Sequence, residues 1–287
     1  MKLWITGSKG LLGSTLLSKI SALGTTRTEV DIADLNALRV FTKKHSGITH
    51  IVNCAAFSLV DLAETNKEEA YQANAVGPEN LARIAKEMGA HLVHISTDYV
   101  FPGNLHRPLK EDDLIAPCNY YGQTKWEGEQ RVLEVLPSAC VLRTSWIFGG
   151  GGKNFVAKIL HLMLSQNEIR LTNDQWGRPT YAPDLADAIL KLLGRRGIYH
   201  FANAGVATKY EFGVGLREEA LRLNFPVVTK SIVSVPGSAF PSPCQRPVYS
   251  AFDTSKIENE LNIQIRPYRE ALQDYLCQQS VLFPISL

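Results

Sequence analysis

The sequence predicts an α/β protein in which a doubly wound parallel sheet is followed by a smaller C-terminal α/β lobe. Through the first half of its 287 residues, short apolar runs alternate with longer helical patterns. Parallel strands need such crossover connections, which place helices on both faces of the sheet. After Gly149 this rhythm changes. We therefore divide the chain at residues 1–149 and 150–287, with segments of the second part packing back onto the first.

The elements follow in order along the chain. The buried strands predicted from runs of Val, Ile and Leu are Lys2–Thr6, His50–Ala55, His91–Ser96 and Cys140–Trp146. The helices between them are Leu11–Leu23, Asp34–His45, Lys67–Met88 and Tyr120–Leu136. A weakly apolar second strand is expected near Thr25–Arg27.

Past the loop of glycines 149–152, three more helices and two more strands are predicted. The helices are Phe155–Leu164, Asp184–Leu193 and Tyr210–Leu223, and the strands are Ile169–Thr172 and Ile198–Ala202. The stretch Pro236–Pro247 contains four prolines, which disfavour regular structure.

Charge and composition exclude several classes of function. Thirty basic and 28 acidic residues give a net charge of +2, so we expect neither a nucleic-acid partner nor a membrane surface. No apolar run reaches membrane-spanning length, and the chain enters a strand at once instead of a signal peptide. Five cysteines and seven histidines lack metal or redox spacing. We expect a cytoplasmic protein with reduced thiols and no metal site.

A glycine-rich turn joins the first strand to the first helix: Gly7, Gly10, Leu11, Leu12 and Gly13 carry it. Glycines allow a tight turn and a close approach of the backbone to a pyrophosphate, which the helix N-terminus attracts. In this context the turn predicts a Rossmann-type dinucleotide site rather than a purely structural turn.

The second strand carries the signal for cofactor choice. Its end offers Arg27 where an acidic residue would hold the ribose of NAD. A guanidinium can pair with a 2′-phosphate, so NADPH is preferred and NADH stays possible, unless Arg27 is a plain surface charge. Asp31 and Ile32 are expected at the adenine, as hydrogen-bond acceptor and packing surface.

A tyrosine and a lysine one helical turn apart form the predicted proton-transfer device. Tyr121 and Lys125 share a helix face because they are four residues apart. A nearby ammonium and an oxidised nicotinamide are expected to lower the phenol pKa. Thr97, at the end of a strand, is the hydroxyl expected to fix a substrate carbonyl. Its alternative role is turn formation.

Longer motifs resemble the extended short-chain dehydrogenases and, within them, the dTDP-4-dehydrorhamnose reductase family. The matching segments begin at Asn53, Ser96, Pro117, Leu142, Asn154, Asn173 and Arg246 and cover almost the whole chain. The resemblance implies NADPH-dependent reduction of the C4 ketone of a nucleotide-linked 6-deoxy sugar, the last step to dTDP-L-rhamnose.

The resemblance also implies residue roles. It makes Thr97, Tyr121 and Lys125 the catalytic trio, with Asp98 as a helper. Ala55 and Ala56 are implied beside the cofactor together with Tyr121 and Lys125. The implied substrate residues are Val60, Trp146, Asn154 and Arg178. Trp146 could equally be core, whereas Arg178 is expected to be exposed in its loop and to face a phosphate.

Two positions depart from the family pattern. Phe57-Ser58 stand where the family often has Tyr-Thr, and Ser14-Thr15 where some members carry an acidic residue that supports a magnesium-linked dimer. The second departure counts against a magnesium-linked dimer, and a homodimer is one of the open oligomeric states. Two alternatives stay open: a regulatory subunit resembling the β subunit of methionine adenosyltransferase, and a reductase or epimerase of another nucleotide sugar.

Overall fold

The structure is a computed structural model that describes residues 1–150 and 154–280. Its strands are β1 Leu3–Thr6, β2 Leu23–Thr25, β3 His50–Asn53, β4 His91–Thr97, β5 Cys140–Thr144, β6 Ile147–Phe148, β7 Glu168–Thr172, β8 Trp176–Gly177, β9 Thr180–Tyr181, β10 Gly197–Phe201, β11 Ala207–Thr208 and β12 Ser231–Val235. Its helices are α1 Leu11–Lys19, α2 Leu35–Lys44, α3 Val60–Ala63, α4 Lys67–Tyr71, α5 Gly77–Met88, α6 Tyr120–Val135, α7 Phe155–Ser165, α8 Ala182–Leu192, α9 Lys209–Arg222, α10 Ser255–Leu261 and α11 Tyr268–Ser280.

Within the described residues, a six-stranded parallel sheet has the order β10-β5-β4-β3-β1-β2. The chain leaves β1 toward β2 on one side and then returns to β3 on the other. This makes the carboxyl ends of β1 and β3 the topological switch point, where ligands bind in such sheets. The sheet confirms the predicted fold class.

Helices cover both faces of the sheet and seal two separate cores. On one face α1 and α8 pack Leu16 and Ile189 against the strands. On the other, α2, α5 and α6 bury Leu38, Leu81 and Val132. α8 is apolar along the stripe that faces the sheet, whereas the buried face of α6 also carries Thr124, Lys125 and Glu129.

The C-terminal lobe has a core of its own. Phe148, Met163, Phe212 and Tyr275 are buried there with side chains from α7, β7, α9 and α11. β7 and β12 pair in parallel beside it. The chain also contributes β10 and α8 to the main sheet and its covering, so part of residues 150–287 packs back onto the first part. The boundary at residue 149/150 itself stays a prediction.

Several element bounds differ from those expected. The second strand ends at Thr25, before Arg27, and β5 ends at Thr144. Trp146 is therefore not in a strand; its φ of 45° places it in a left-handed turn. The predicted helix Lys67–Met88 is continuous but contains a π-helical turn at Gln72–Val76.

Some elements were missed and one prediction cannot be compared. The pattern did not reveal α3, β12, α10 or α11. The proline-rich stretch forms only a single helical turn at Gly237–Ala239, as expected. Of the predicted glycine loop, residues 151 and 152 lie outside the described residues.

Candidate active site

The glycine loop connects β1 to α1 through a close backbone contact. The amide of Gly10 donates to the Gly7 carbonyl at 2.9 Å. A Cβ at Gly13 would lie 2.3 Å from that same oxygen, so only glycine lets α1 start so close to the turn. The loop forms one wall of a cavity of about 580 Å³ at the switch point. The cavity walls include the predicted cofactor residues Gly7, Gly10, Leu11, Leu12, Gly13, Arg27, Asp31, Ile32, Ala55 and Ala56.

Arg27 lies on the cavity wall but is already paired. Its Nη1 donates to Glu69 at 2.5 Å, and its Nε donates to Asp31 at 3.1 Å. The side chain is 66% exposed. These surface ion pairs are weak, so a 2′-phosphate could exchange with one of the carboxylates at little cost. Ile32 is buried beside them and offers an apolar surface.

The predicted catalytic residues meet where α6 lies across the end of β4. Lys125 Nζ donates to the carbonyl of Ile95 at 2.7 Å. Tyr121 lies one helical turn earlier. It is within hydrogen-bonding reach of the Thr97 side chain, which lowers the Tyr121 pKa. Residues 121 and 125 of the helix thus face residues 97 and 95 of the strand. Four residues along α6 span nearly the same length as two residues along β4. Tyr121 and Lys125 can therefore both lie against the end of the strand that carries Thr97.

The start of α6 fixes the position of Tyr121. Asn119 caps the helix by accepting from the Gly122 amide at 2.8 Å. A Cβ at Gly122 would lie 2.1 Å from the Tyr99 carbonyl, so the helix can approach this segment only with glycine there. The Tyr99 and Tyr121 rings pack edge to face, 5.7 Å between centroids. The motif therefore places the phenol beside the end of β4.

Burial dominates the electrostatics of the tyrosine and the lysine. It raises the pKa of Tyr121 to about 12, although the Thr97 side chain lowers it. Burial also lowers the pKa of Lys125 to about 8, although the negative charge of the Glu129 carboxylate raises it. In the protein alone burial thus determines the Tyr121 pKa, and its expected lowering by the ammonium and an oxidised nicotinamide stays a prediction. At neutral pH both groups hold their protons, the form suited to proton donation.

Asp98 lies next to Thr97 and is almost fully buried. Thr97 donates its hydroxyl hydrogen to the Asp98 carboxylate at 3.1 Å. Burial raises the pKa of Asp98 to about 6, opposed by the hydroxyls of Ser250 and Thr97 and by the charge of Lys209. Asp98 therefore orients the Thr97 hydroxyl and is partly protonated near pH 6.

A buried ion pair between β5 and α6 holds the helix that carries Tyr121 and Lys125. Arg143 donates from Nη2 to Glu129 at 2.7 Å, and Ser96 donates to the same carboxylate at 2.5 Å. Both charged side chains are almost fully excluded from solvent. Glu129 follows Lys125 by one turn of α6, so the pair anchors the lysine-bearing face of the helix. Arg143 is thus a structural ion-pair partner.

Two of the implied substrate residues make contacts within the protein, and their role toward a substrate stays a prediction. Arg178 was expected to face a phosphate from an exposed loop. Its guanidinium instead donates to the carbonyls of Asn203 (2.9 Å) and Phe252 (2.8 Å), which corrects that expectation. Asn154 caps α7 by accepting from the Ala157 amide at 2.9 Å. Both side chains satisfy backbone groups that the fold leaves unpaired.

The other two implied substrate residues, Val60 and Trp146, are half-buried. Val60 is half-buried at the start of α3. Trp146 packs edge to face on Phe155 at 5.9 Å, and the absence of a side chain at Gly177 makes room for its indole. Trp146 is half-buried at the junction of the two lobes, and its role toward a substrate stays a prediction.

Sequence reasoning missed two cations near the site. Lys209 lies with Nζ 3.1 Å from the centre of the Trp146 ring. Arg246 donates to the Tyr99 hydroxyl at 3.1 Å and to the Asp61 carboxylate at 2.9 Å. Arg246 was noted only as part of a matching motif, whereas Lys209 directly precedes the predicted helix Tyr210–Leu223 and begins α9 in the structure. The periodicity of the sequence does not indicate that Lys209, in the first turn of α9, contacts Trp146.

The described part of the chain offers no group of three His, Cys, Asp or Glu side chains that could hold a metal ion. Searching the same residues finds no helix of the length and apolarity needed to cross a membrane.

Comparison with known proteins adds a family to this geometry. Residues 1–281 match the family model "RmlD substrate binding domain". The chain is 37% identical over 285 residues to the spore coat polysaccharide biosynthesis protein SpsK of Bacillus subtilis, covering 97% of this chain and 98% of that protein. It is 38% identical over 284 residues to the dTDP-4-dehydrorhamnose reductase of Mycolicibacterium smegmatis, covering 94% and 83%. The structure of Bacillus anthracis dTDP-4-dehydrorhamnose reductase in complex with NADP aligns with a TM-score of 0.91 at 32% identity, covering 97% of this chain and 100% of that one.

Proposed function

Since the chain belongs to the RmlD substrate binding domain family, we propose that it is an NADPH-dependent oxidoreductase. It reduces the 4-keto group of a nucleotide-linked 6-deoxy sugar. The protein is thus a dTDP-4-dehydrorhamnose reductase of dTDP-L-rhamnose synthesis. The observation that carries this proposal is the meeting of Thr97, Tyr121 and Lys125 across β4 and α6. Relatives named as such reductases support the same substrate class.

The residues fit a bound dinucleotide. Glycine at residue 13 lets α1 start in close contact with the turn at Gly7, and the cavity beside this loop has the size of a nucleotide site. Arg27 is the group suited to a 2′-phosphate, which favours NADPH over NADH. When bound, the nicotinamide supplies the hydride.

The remaining chemistry belongs to the side chains of the site. Thr97 donates its single hydroxyl hydrogen to the substrate carbonyl oxygen, and for this it gives up the hydrogen bond to Asp98 that holds it in the free protein. Tyr121 donates its phenolic proton to that oxygen as it gains charge, and the high pKa keeps the proton in place until then. Lys125 leaves the Ile95 carbonyl to bind the nicotinamide ribose and to stabilise the resulting phenolate.

The alternatives differ in measurable ways. A regulatory subunit would bind NADPH without turning over a keto sugar. A reductase or epimerase of another nucleotide sugar would use the same trio on a different ring. The homodimer and the cytoplasmic location expected from the sequence stay predictions.

The test is steady-state loss of NADPH absorbance with dTDP-4-keto-6-deoxy-L-lyxo-hexulose, with NADH run in parallel. We expect turnover, and at equal cofactor concentration a faster rate with NADPH than with NADH. Tight NADPH binding without turnover would refute it and favour the regulatory subunit. Turnover only with another nucleotide sugar would refute the stated substrate and retain the reductase class.

A further inference from the structure

Two cysteines from different halves of the sequence meet at one backbone oxygen. The thiol of Cys118, just before α6, donates to the carbonyl of Gln245 at 3.5 Å. The thiol of Cys244 donates to the same oxygen at 3.4 Å. Two sulfurs that share one acceptor at these distances are neighbours, and the charge of Cys118 also acts on the pKa of Cys244. The fold thus forms a pair of adjacent thiols.

Hydrogen bonds that do not involve sulfur hold the segment that carries Cys244. Ser242 donates to the Asp61 carboxylate at 2.6 Å, and Arg246 donates to the same carboxylate at 2.9 Å. The Cys244 amide donates to the Ser242 hydroxyl at 3.1 Å. Asp61, in α3, therefore binds the chain on both sides of Cys244 and fixes the position of its thiol.

Cys118 is held from the other side by the residue that caps α6. The Asn119 side chain accepts from the first turn of that helix, and its Nδ2 donates to the Gln245 carbonyl at 2.8 Å. The same Nδ2 lies 3.7 Å from the Cys118 sulfur. Asn119 thus connects the segment of Cys244 to the helical turn that carries Tyr121.

The two thiols differ in accessibility, and both are protonated at neutral pH. Cys118 is half-buried, whereas Cys244 is almost fully buried. Burial raises the pKa of Cys118. Burial also raises the pKa of Cys244 to about 11, although the charge of Arg246 lowers it. Since the thiolate is the attacking species, the pair reacts slowly at neutral pH, and an oxidant from solvent meets Cys118 first.

We propose that a hydroperoxide oxidises Cys118 and Cys244 to a disulfide, and that this bond lowers turnover by displacing the first turn of α6. The Cys118 thiolate attacks a peroxide oxygen, the O–O bond breaks and water leaves, so that Cys118 becomes a sulfenic acid. The Cys244 thiolate then attacks the Cys118 sulfur, the S–O bond breaks and a second water leaves. The two thiols lose two electrons in total, and the peroxide is reduced to two waters.

The bond changes the geometry beside the catalytic tyrosine. A disulfide needs its sulfurs about 2.05 Å apart, whereas both sulfurs now contact the oxygen between them. Because Asp61 holds the segment of Cys244, the start of α6 has to move toward it. A displacement of about 1 Å at a reacting group costs up to about 100-fold in rate, so we expect kcat to fall by about 10-fold or more. Among the described residues that line the cavity beside the glycine loop, neither cysteine occurs, so NADPH affinity should stay within about twofold.

The test treats the full chain with hydrogen peroxide at about pH 8.5, where more thiolate is present, then blocks the remaining thiols with iodoacetamide and digests with trypsin. Mass spectrometry should find the peptides of residues 111–125 and 231–256 joined by one disulfide. Dithiothreitol should separate them and restore kcat. Cys118→Ser and Cys244→Ser, each compared with its own untreated state, should lose both the cross-link and the fall in kcat. Cys277→Ser, at an exposed cysteine outside the pair, is the matched control and should respond as the wild type does.

Peptides 111–125 and 231–256 that stay separate in the treated wild type would overturn the proposal. A cross-link that leaves kcat within about twofold would overturn it too, because the bond would then not displace Tyr121. An equal fall of kcat in Cys244→Ser would assign the effect to oxidation of Cys118 alone and count against the disulfide. The peptide analysis does not use turnover, so a failure of the reductase proposal would leave the disulfide detectable and the two failures distinguishable.

Discussion

Replacing Gly13 by alanine should disable the dinucleotide loop, whereas the same change at Gly10 should be mild. The new methyl at residue 13 would lie 2.3 Å from the Gly7 oxygen, so the loop must move by about 1 Å to restore an ordinary contact. At residue 10 the methyl would lie 3.2 Å from the same oxygen, and a few tenths of an ångström suffice. Both changes add one methyl group and neither introduces charge.

The cost follows from that geometry. Overpacking of this kind costs roughly 1–3 kcal/mol. If the loop moves while the fold is retained, the affinity for NADPH falls by about 10- to 100-fold in Gly13→Ala. In Gly10→Ala it falls by less than about threefold.

The assay is a fluorescence titration with NADPH, and urea unfolding of each variant separates loop displacement from loss of the fold. NADPH binding by Gly13→Ala as tight as that of the wild type would refute the reasoning. Equal losses at residues 10 and 13 would refute it too, since the argument depends on the difference between the two contacts.

Three further predictions concern the buried charges of the site. Glu129→Gln leaves the charge of Arg143 buried without its partner and should cost about 3–5 kcal/mol in urea unfolding. Glu87→Gln, in an exposed pair, should cost about 0–1 kcal/mol. Because the pKa of Asp98 is raised to about 6 in the folded state, its ionisation at pH 7 opposes folding, so Asp98→Asn should stabilise by an amount on the order of 1–3 kcal/mol there. Most of that gain should vanish near pH 4, where the wild-type carboxyl is protonated. Because the pKa of Lys125 is about 8, kcat/KM for NADPH should decline as the pH rises above that value and the ammonium is lost.

Each of these predictions has a contrary outcome. Equal costs for the two glutamate variants would show that the buried pair does not anchor α6. A gain for Asp98→Asn that persists at pH 4 would come from packing and not from charge. A flat profile of kcat/KM between pH 7 and 10 would mean that the ammonium of Lys125 does not contribute to cofactor use.

The sequence was sufficient where local pattern and site coincide. The glycine turn, the strand end at Thr97 and the spacing of Tyr121 and Lys125 are short-range signals, and the structure brings these residues to one edge of the sheet. The fold class followed from the alternation of apolar runs with helical patterns. These features depend on neighbours in the chain, which a single sequence displays.

Other parts of the site depend on contacts between distant segments. Arg178 was expected at a phosphate because it stands in a loop, but the carbonyls of Asn203 and Phe252 bind it. Trp146 leaves its expected strand through a positive φ, which no apolar pattern encodes. Lys209 reaches Trp146 only because two lobes meet there. Such partners are 25 to 74 residues apart in the chain, so only the folded structure reveals them.

The most direct test of the central claim follows the hydride itself. NADPH carrying deuterium at the transferred position is incubated with the dTDP-4-keto sugar, and the product is analysed by mass spectrometry and NMR. The account predicts one deuterium at C4 of the sugar with the wild-type enzyme. It predicts none with Tyr121→Phe, although that variant still binds NADPH. Deuterium at C4 at the wild-type rate in Tyr121→Phe, or none in the wild type, would contradict it.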